Sequence, residues 1–423
     1  MSKLTSILII GGLIRFLLPT LFPSLTSNLD SSVELSTPLT SFKSLLESFY
    51  YFDHGIDLYD GGINHNAPLL TIILSFVNQL PYSAVWFNLV YAVIDVLITL
   101  KLVTIIKLYN KDKKTTGFGD YLIASFYLFN PLIILTNLSH STIVFTWLFI
   151  IESILQIIKF NNIPRSMISL AVAAYLSYNP IMLLPAIIAL AHTKNRDKLV
   201  NVYVQGLAIF LISLILLLMT SFISTASIEF LNIYLTNITF SKITPNVGLW
   251  WYLFTEMFEL YTSFYLIVFN VYAFLFIIPF VLRLFEFKNT GNPTGDSMLA
   301  VVVCLVWISF TKSYPIIGDL GFALSLVPMF KDTVIKHCKF MYIIGLTLLI
   351  SLILSPIFYY IWIVLGTGNA NFFYSISLIW GGLHILILMD LVWSQLSIDY
   401  YQDNGVKLDD EKSEKTPPVL AQL

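Results

Sequence analysis

Glu256 and Glu259 stand in one of the most aromatic windows of the chain, NVGLWWYLFTEMFELY at residues 246–261. Ionisable groups in such surroundings are costly unless they meet water or a polar partner. At about 100° per residue, Tyr252, Thr255, Glu256 and Glu259 share one arc of a helix, with the apolar side chains spread over the rest. Two placements fit that stripe. The helix can lie flat at an interface with its carboxylates in water, or it can turn the stripe into a polar cavity. In the second placement the carboxylates accept hydrogen bonds from a cationic or hydroxyl-rich headgroup. Trp250 and Trp251 then sit at headgroup level, where amphipathic rings are favoured.

Three other stretches carry polar groups among apolar neighbours. Asp30, just before the long loop at residues 31–70, and Glu34 within it could serve as a base towards an acceptor hydroxyl, hold a metal near a phosphate, or simply be solvated. Further along it come Asp53, His54, Asp57, Asp60 and His65, but the spacing matches no metal-ligand pattern, so no metal site is expected. FTKSYPIIGD at residues 310–319 turns at Tyr314–Pro315, and Lys312 and Asp319 flank the turn closely enough to pair with each other. GTGNANFFYSISL at residues 366–378 uses Asn369 and Asn371 to turn the chain before Phe372 and Phe373 return it to apolar surroundings. Of the two cysteines, Cys304 lies in an apolar run where desolvation suppresses the thiolate, and Cys338 lies in a basic loop. No nucleophile, base and orienter set emerges, so no catalytic residue and no cofactor is expected. Asn237, in NIT, is the candidate glycosylation acceptor; Asn137, in NLS, is pinned at a helix end.

The elements that position these groups belong to a membrane protein. Of the 423 residues 57% are apolar and 11% charged, against roughly a quarter charged in soluble domains. A net charge of −2 argues against nucleic acid as a partner. Eight full crossings are expected near residues 4–22, 83–108, 121–138, 142–158, 199–222, 262–284, 340–365 and 372–396. About 28 residues separate Arg165 from Lys194, too many for one crossing and too few for two, so this piece enters and returns, breaking at SYNP (177–180). Residues 297–330 repeat the pattern, with their break at 311–315. Such breaks survive at membrane depth only where protein or a wet cavity covers the open backbone. Residues 68–80 are too short to span and read as an interfacial or re-entrant helix. Basic clusters near residues 107–114, 159–165, 194–198 and 331–339 mark the cytosolic side. The acidic loop at residues 23–67, with an amphipathic helix near 41–51, then faces the lumen, and both termini are cytosolic. The fold class is thus an all-α polytopic bundle with two short-helix hairpins, forming a single membrane domain over residues 1–398 and a cytosolic, disordered tail at 399–423.

Four separated stretches, residues 33–61, 248–259, 312–319 and 369–374, resemble the PIG-U family in order and spacing, and the resemblance covers about residues 1–400. It implies a non-catalytic, multi-pass subunit of the GPI transamidase in the endoplasmic-reticulum membrane. That complex cleaves a C-terminal signal and joins the new carboxyl end to the ethanolamine of GPI. The implied partners are the caspase-like catalytic subunit, which carries the cysteine and histidine, together with PIG-T, PIG-S and GPAA-type components. The subunit's implied ligand is the GPI lipid. Trp250, Trp251, Tyr252, Glu256, Glu259, Lys312, Tyr314, Asp319, Asn369, Asn371, Phe372 and Phe373 are the candidate residues to hold it. The chain is also similar, more distantly, to the GT-C mannosyltransferases that use dolichol-phosphate mannose, and that activity is the alternative. Those enzymes carry adjacent acids after the first helix; here VELSTP offers Glu34 alone. A solute transporter is the third class, but no internal repeat supports it.

Overall fold

Ser2 opens the first helix: its hydroxyl accepts from the Thr5 amide at 3.1 Å, capping α1 (Lys3–Leu21). Pro23 then starts α2 (Pro23–Asp30), where a missing N–H costs nothing. The computed structural model describes residues 2–195, 199–286 and 294–404. The expected amphipathic helix is α3 (Phe42–Asp53), which buries Leu45 and Phe49, and the short apolar run is α4 (Pro68–Asn78). The crossing α5 (Ser83–Lys113) ends with Lys111 and Lys113 in its last turn, where cations suit the carbonyl end of the helix dipole. Pro131 divides the next span into α6 (Asp120–Leu128) and α7 (Pro131–Leu138), bent by 53°. The Asn130 side chain accepts from the Leu132 amide at 3.0 Å and caps the second half. α8 (Ile143–Phe160) follows.

Both short-helix hairpins form. α9 (Ile163–Leu176) and α10 (Leu184–Asn195) are joined through an extended Ser177 and a single 3-10 stretch, Asn179–Leu183. α11 (Leu199–Thr225) crosses back, and α12 (Asn232–Thr239) and α13 (Trp250–Glu256) lie before the next crossing, α14 (Glu259–Leu275) with α15 (Ile277–Leu284). The second hairpin is α16 (Ser297–Thr311) and α17 (Ile317–Leu324). Every residue of α16 but Phe310 is buried, as an all-round apolar helix requires. α17 approaches α7 closely because Gly318 and Gly321 face it; a Cβ on Gly318 would stand 2.3 Å from the Thr136 hydroxyl.

The last described elements are α18 (Met341–Tyr359), a π-helical turn at Tyr360–Val364, and α19 (Ala370–Asp403). Among the described residues seven helices are long and apolar enough to cross a membrane, eight with the bent pair, and they fall where the eight crossings were expected. The all-α polytopic fold is therefore the one anticipated. α19 runs to Asp403, past the expected boundary at 398, because Asp399 is buried and takes an ion pair from Arg283 at 3.1 Å. The rest of the expected tail, from residue 405, lies outside the described residues, as do Arg196 and Lys198.

α5, α8, α16 and α19 make the interior, whereas α11, α14 and α18 leave broad apolar faces uncovered, as spans at a bilayer edge do. Arg15 of α1 pairs with Asp95 of α5, both side chains fully buried. Tyr127 of α6 donates to the same carboxylate at 3.0 Å, and Arg15 Nη1 donates to the Leu128 carbonyl at 3.0 Å. Three helices are tied at one buried point.

Candidate functional site

An aromatic cluster closes one end of the bundle. Trp250, Trp251 and Phe254 of α13 pack inward with Phe240, Tyr314 and Phe373. Trp251 stacks against Trp362 with ring centroids 5.7 Å apart and meets Phe373 at the same distance. Trp362 reaches that position from the π-helical turn that follows Pro356, a register change typical of sites where a helix re-aims a side chain. Trp362 and Tyr359 are not among the candidates from the sequence; their signal is the aromatic run FYYIW at residues 358–362.

At the rim, Tyr252 donates a hydrogen bond to Asn371 and stacks on Tyr374 at 4.2 Å. Asn369 caps α19 by accepting from the Asn371 amide at 3.0 Å. The 246–261 stretch and the 366–378 turn, more than a hundred residues apart, thus meet directly. Phe372 is half exposed beside them, while Phe373 turns inward. Glu256 and Glu259 are exposed, but they do not share one helical stripe. Met257 and Phe258 are extended, so Glu256 ends α13 and Glu259 begins α14. The break has a physical reason: α13 must pack three large rings inward, and α14 must leave as the start of a 26-residue span.

The hairpin tip goes elsewhere. Lys312 and Asp319 form a buried ion pair at 3.0 Å, and Asp319 also accepts from the Ile316 amide at 3.0 Å, so both close the turn. The Tyr314 hydroxyl donates to the Lys242 carbonyl at 2.9 Å. Asn237 is 7% exposed and accepts from Ser313 at 2.6 Å. Any glycan at that asparagine would have to be attached before folding. The two hairpin tips, through Ser177, Tyr178 and Lys312, line two adjoining cavities of roughly 20 and 40 Å³. These hold on the order of one to three waters each. The broken backbone at membrane depth is covered by protein in this way.

The PIG-U model, described as GPI transamidase subunit PIG-U, matches residues 9–380. The chain belongs to the PIG-U family. It is similar to the GPI transamidase component GAB1 of Saccharomyces cerevisiae, 37% identical over 93% of this chain and 94% of that one. It is also similar to the human GPI-anchor transamidase component PIGU, 27% identical over 89% of this chain and 90% of the other.

In this PIG-U family member the acids of the first loop are bound into structure. Asp30 accepts from the amides of Phe42 and Lys43, at 3.0 and 2.8 Å, and from the hydroxyls of Ser36 and Ser41, at 2.8 and 3.1 Å. It therefore caps α3. Glu34 is 7% exposed and accepts from Ser32 and from Ser355 of α18, the latter at 2.6 Å. Its carbonyl also receives the Ile317 amide at 3.0 Å. Neither acid is solvated as a free loop carboxylate would be. Farther along, His54 donates from Nδ1 to the Tyr50 carbonyl at 2.8 Å, Asp53 accepts from Gln79 and Asp57 from the Tyr59 amide.

Proposed function

We propose that this chain is a non-catalytic subunit of a GPI transamidase, held in the endoplasmic-reticulum membrane with both termini cytosolic, and that it presents the GPI lipid to the catalytic subunit. The observation that carries the reading is the bond between Tyr252 and Asn371, which joins α13 to the start of α19 over a stacked aromatic floor. Glu256, one turn along α13 from Tyr252, is exposed, as is Glu259 at the start of α14, and Phe372 is half exposed. Ammonium groups and sugar hydroxyls suit the carboxylates and the asparagine, while the rings shield an acyl-chain boundary. Trp250, Trp251, Tyr314 and Phe373 act from below as the packed support, and Lys312 with Asp319 fixes the tip that holds Tyr314. The exposed apolar faces of α11, α14 and α18 are available to the other subunits and to lipid.

The mannosyltransferase reading receives no support from the first loop, where Glu34 is occupied by Ser32 and Ser355 and Asp30 by the four donors that cap α3. The test is the double replacement Glu256→Gln and Glu259→Gln beside Asn371→Ala, with recovery of the complex and attachment of GPI to a proprotein measured separately. Intact assembly with accumulating unprocessed proprotein supports lipid presentation. Normal attachment in both variants returns these groups to ordinary interfacial residues. Loss of a sugar-transfer step in Glu34→Gln would favour the transferase.

A further inference from the structure

We infer that a second lipid, distinct from the one at the aromatic cluster, is held in the seam between α1 and α5: a phospholipid with its phosphate at the end of the bundle opposite the basic loops. The seam contains two spaces that adjoin. The first is a cleft of roughly 480 Å³ bounded by Pro19 and Pro23 of the α1–α2 corner, Phe42 and Lys43 of α3, and Phe87 and Asn88 of α5. The second, roughly 350 Å³, continues along the same two helices from Phe16 and Leu89 to Leu8 and Leu97, and its lining is entirely apolar. Asn88 and Leu89 are consecutive, and Phe16 and Pro19 are one turn apart, so the two spaces follow one another along the same pair of helices. From Leu8 to Pro19 the helix rises about 16 Å, the depth of one leaflet of a hydrocarbon core about 30 Å thick.

The polarity runs the way a phospholipid does. At the wide end stand hydroxyls of Thr26, Ser27 and Ser83, and the ammonium of Lys43, which is exposed and has no ion-pair partner among the described residues. Asp30 borders the same cleft, but its carboxylate oxygens are occupied by the four donors that cap α3. The wall also contains His140, 4% exposed, whose Nδ1 is sealed from the cleft. The cation at the mouth is the group that a phosphate oxygen pairs with, in a charge-assisted hydrogen bond. Below, Gly12 keeps the groove open; a Cβ there would already meet Val96 at 3.3 Å.

The experiment uses the purified complex reconstituted in phosphatidylcholine vesicles doped with a phosphatidylcholine carrying a photoreactive diazirine in one acyl chain. Labelling of the peptides spanning residues 8–16 and 89–97 is read relative to that of α11, whose face is open to bulk lipid. The expected result is preferential labelling of the seam. Lys43→Glu should reduce it about tenfold, the ratio set by one charge-assisted hydrogen bond. Gly12→Trp should abolish it, and Val93→Trp, on an exposed wall of the groove, should do the same if Gly12→Trp fails to assemble. A diazirine diacylglycerol, which lacks the phosphate, should label the seam no more than α11. Equal labelling by both probes, insensitivity to Lys43→Glu, or a seam left unlabelled because a partner subunit covers it would each overturn the inference. Tyr252→Phe should leave seam labelling unchanged whether or not it impairs GPI attachment, so the two lipid proposals fail independently.

Discussion

Arg15 and Asp95 meet across the α1–α5 interface with neither side chain exposed, and Tyr127 donates to the same carboxylate at 3.0 Å. Removing one partner leaves the other charge buried and alone, at a cost of about 3–5 kcal/mol. Asp95→Leu should therefore lower the thermal midpoint of the detergent-solubilised protein sharply. Arg15→Met combined with Asp95→Leu should recover most of the loss, since an apolar pair of similar volume replaces the ion pair well. A double variant as unstable as the single one would contradict this account.

Trp251 and Tyr252 are neighbours with separable roles. Trp251→Ala removes a buried ring stacked on Trp362 and packed on Phe373, and should destabilise the protein by about 3–5 kcal/mol. Tyr252→Phe keeps the ring on Tyr374 and deletes only the bond to Asn371, a loss of about 1 kcal/mol. Unfolding curves should thus separate the two variants widely, while GPI attachment should fall in both. Full attachment in Tyr252→Phe would remove its hydroxyl from the proposed ligand site.

Topology is open to direct measurement. Ser241 and Lys111 are both exposed and lie on opposite sides of α11 in the charge-derived arrangement. In sealed microsomes Lys111→Cys should react with an impermeant maleimide at once, and Ser241→Cys only after the membrane is opened. Native Cys304 is buried, and the partly exposed Cys338 is first replaced by serine to remove its background. Equal reactivity at both sites would sink the orientation.

His140 gives a pH dependence of known direction. Burial, against Phe42 and Tyr91 and beside Asp30 and Lys43 in the same cleft, holds its imidazole down at about 3. The unfolded chain protonates near 6.5, so unfolding takes up a proton below that pH. The stability is complete above pH 6.5 and is lost as pH falls towards 3, by about 2 kcal/mol at pH 5. In detergent free of phospholipid, the melting temperature of the wild-type chain should fall between pH 7.5 and 5 by more than that of His140→Asn. Parallel curves would show that another group titrates.

The membrane class, the eight crossings and both hairpins were legible in the sequence because each rests on local information. A span is read from the length of an apolar run, and a break from proline among polar residues, as at 177–180 and 311–315. Four family stretches in register were equally visible. Tertiary structure decided what each polar group meets. The sequence holds Arg15 and Asp95 in different spans with nothing to pair them, and it places Trp251 and Trp362 more than a hundred residues apart. Helical periodicity put Glu256 and Glu259 on one arc, but the folded chain separates them because three inward rings anchor α13 while α14 departs as a span. It likewise turned Asp30 from a free loop acid into the cap of α3 and enclosed Asn237 against Ser313. Periodicity and hydropathy act over a few turns of one helix, whereas burial and pairing depend on which distant helices come to share a surface, and only packing determines that.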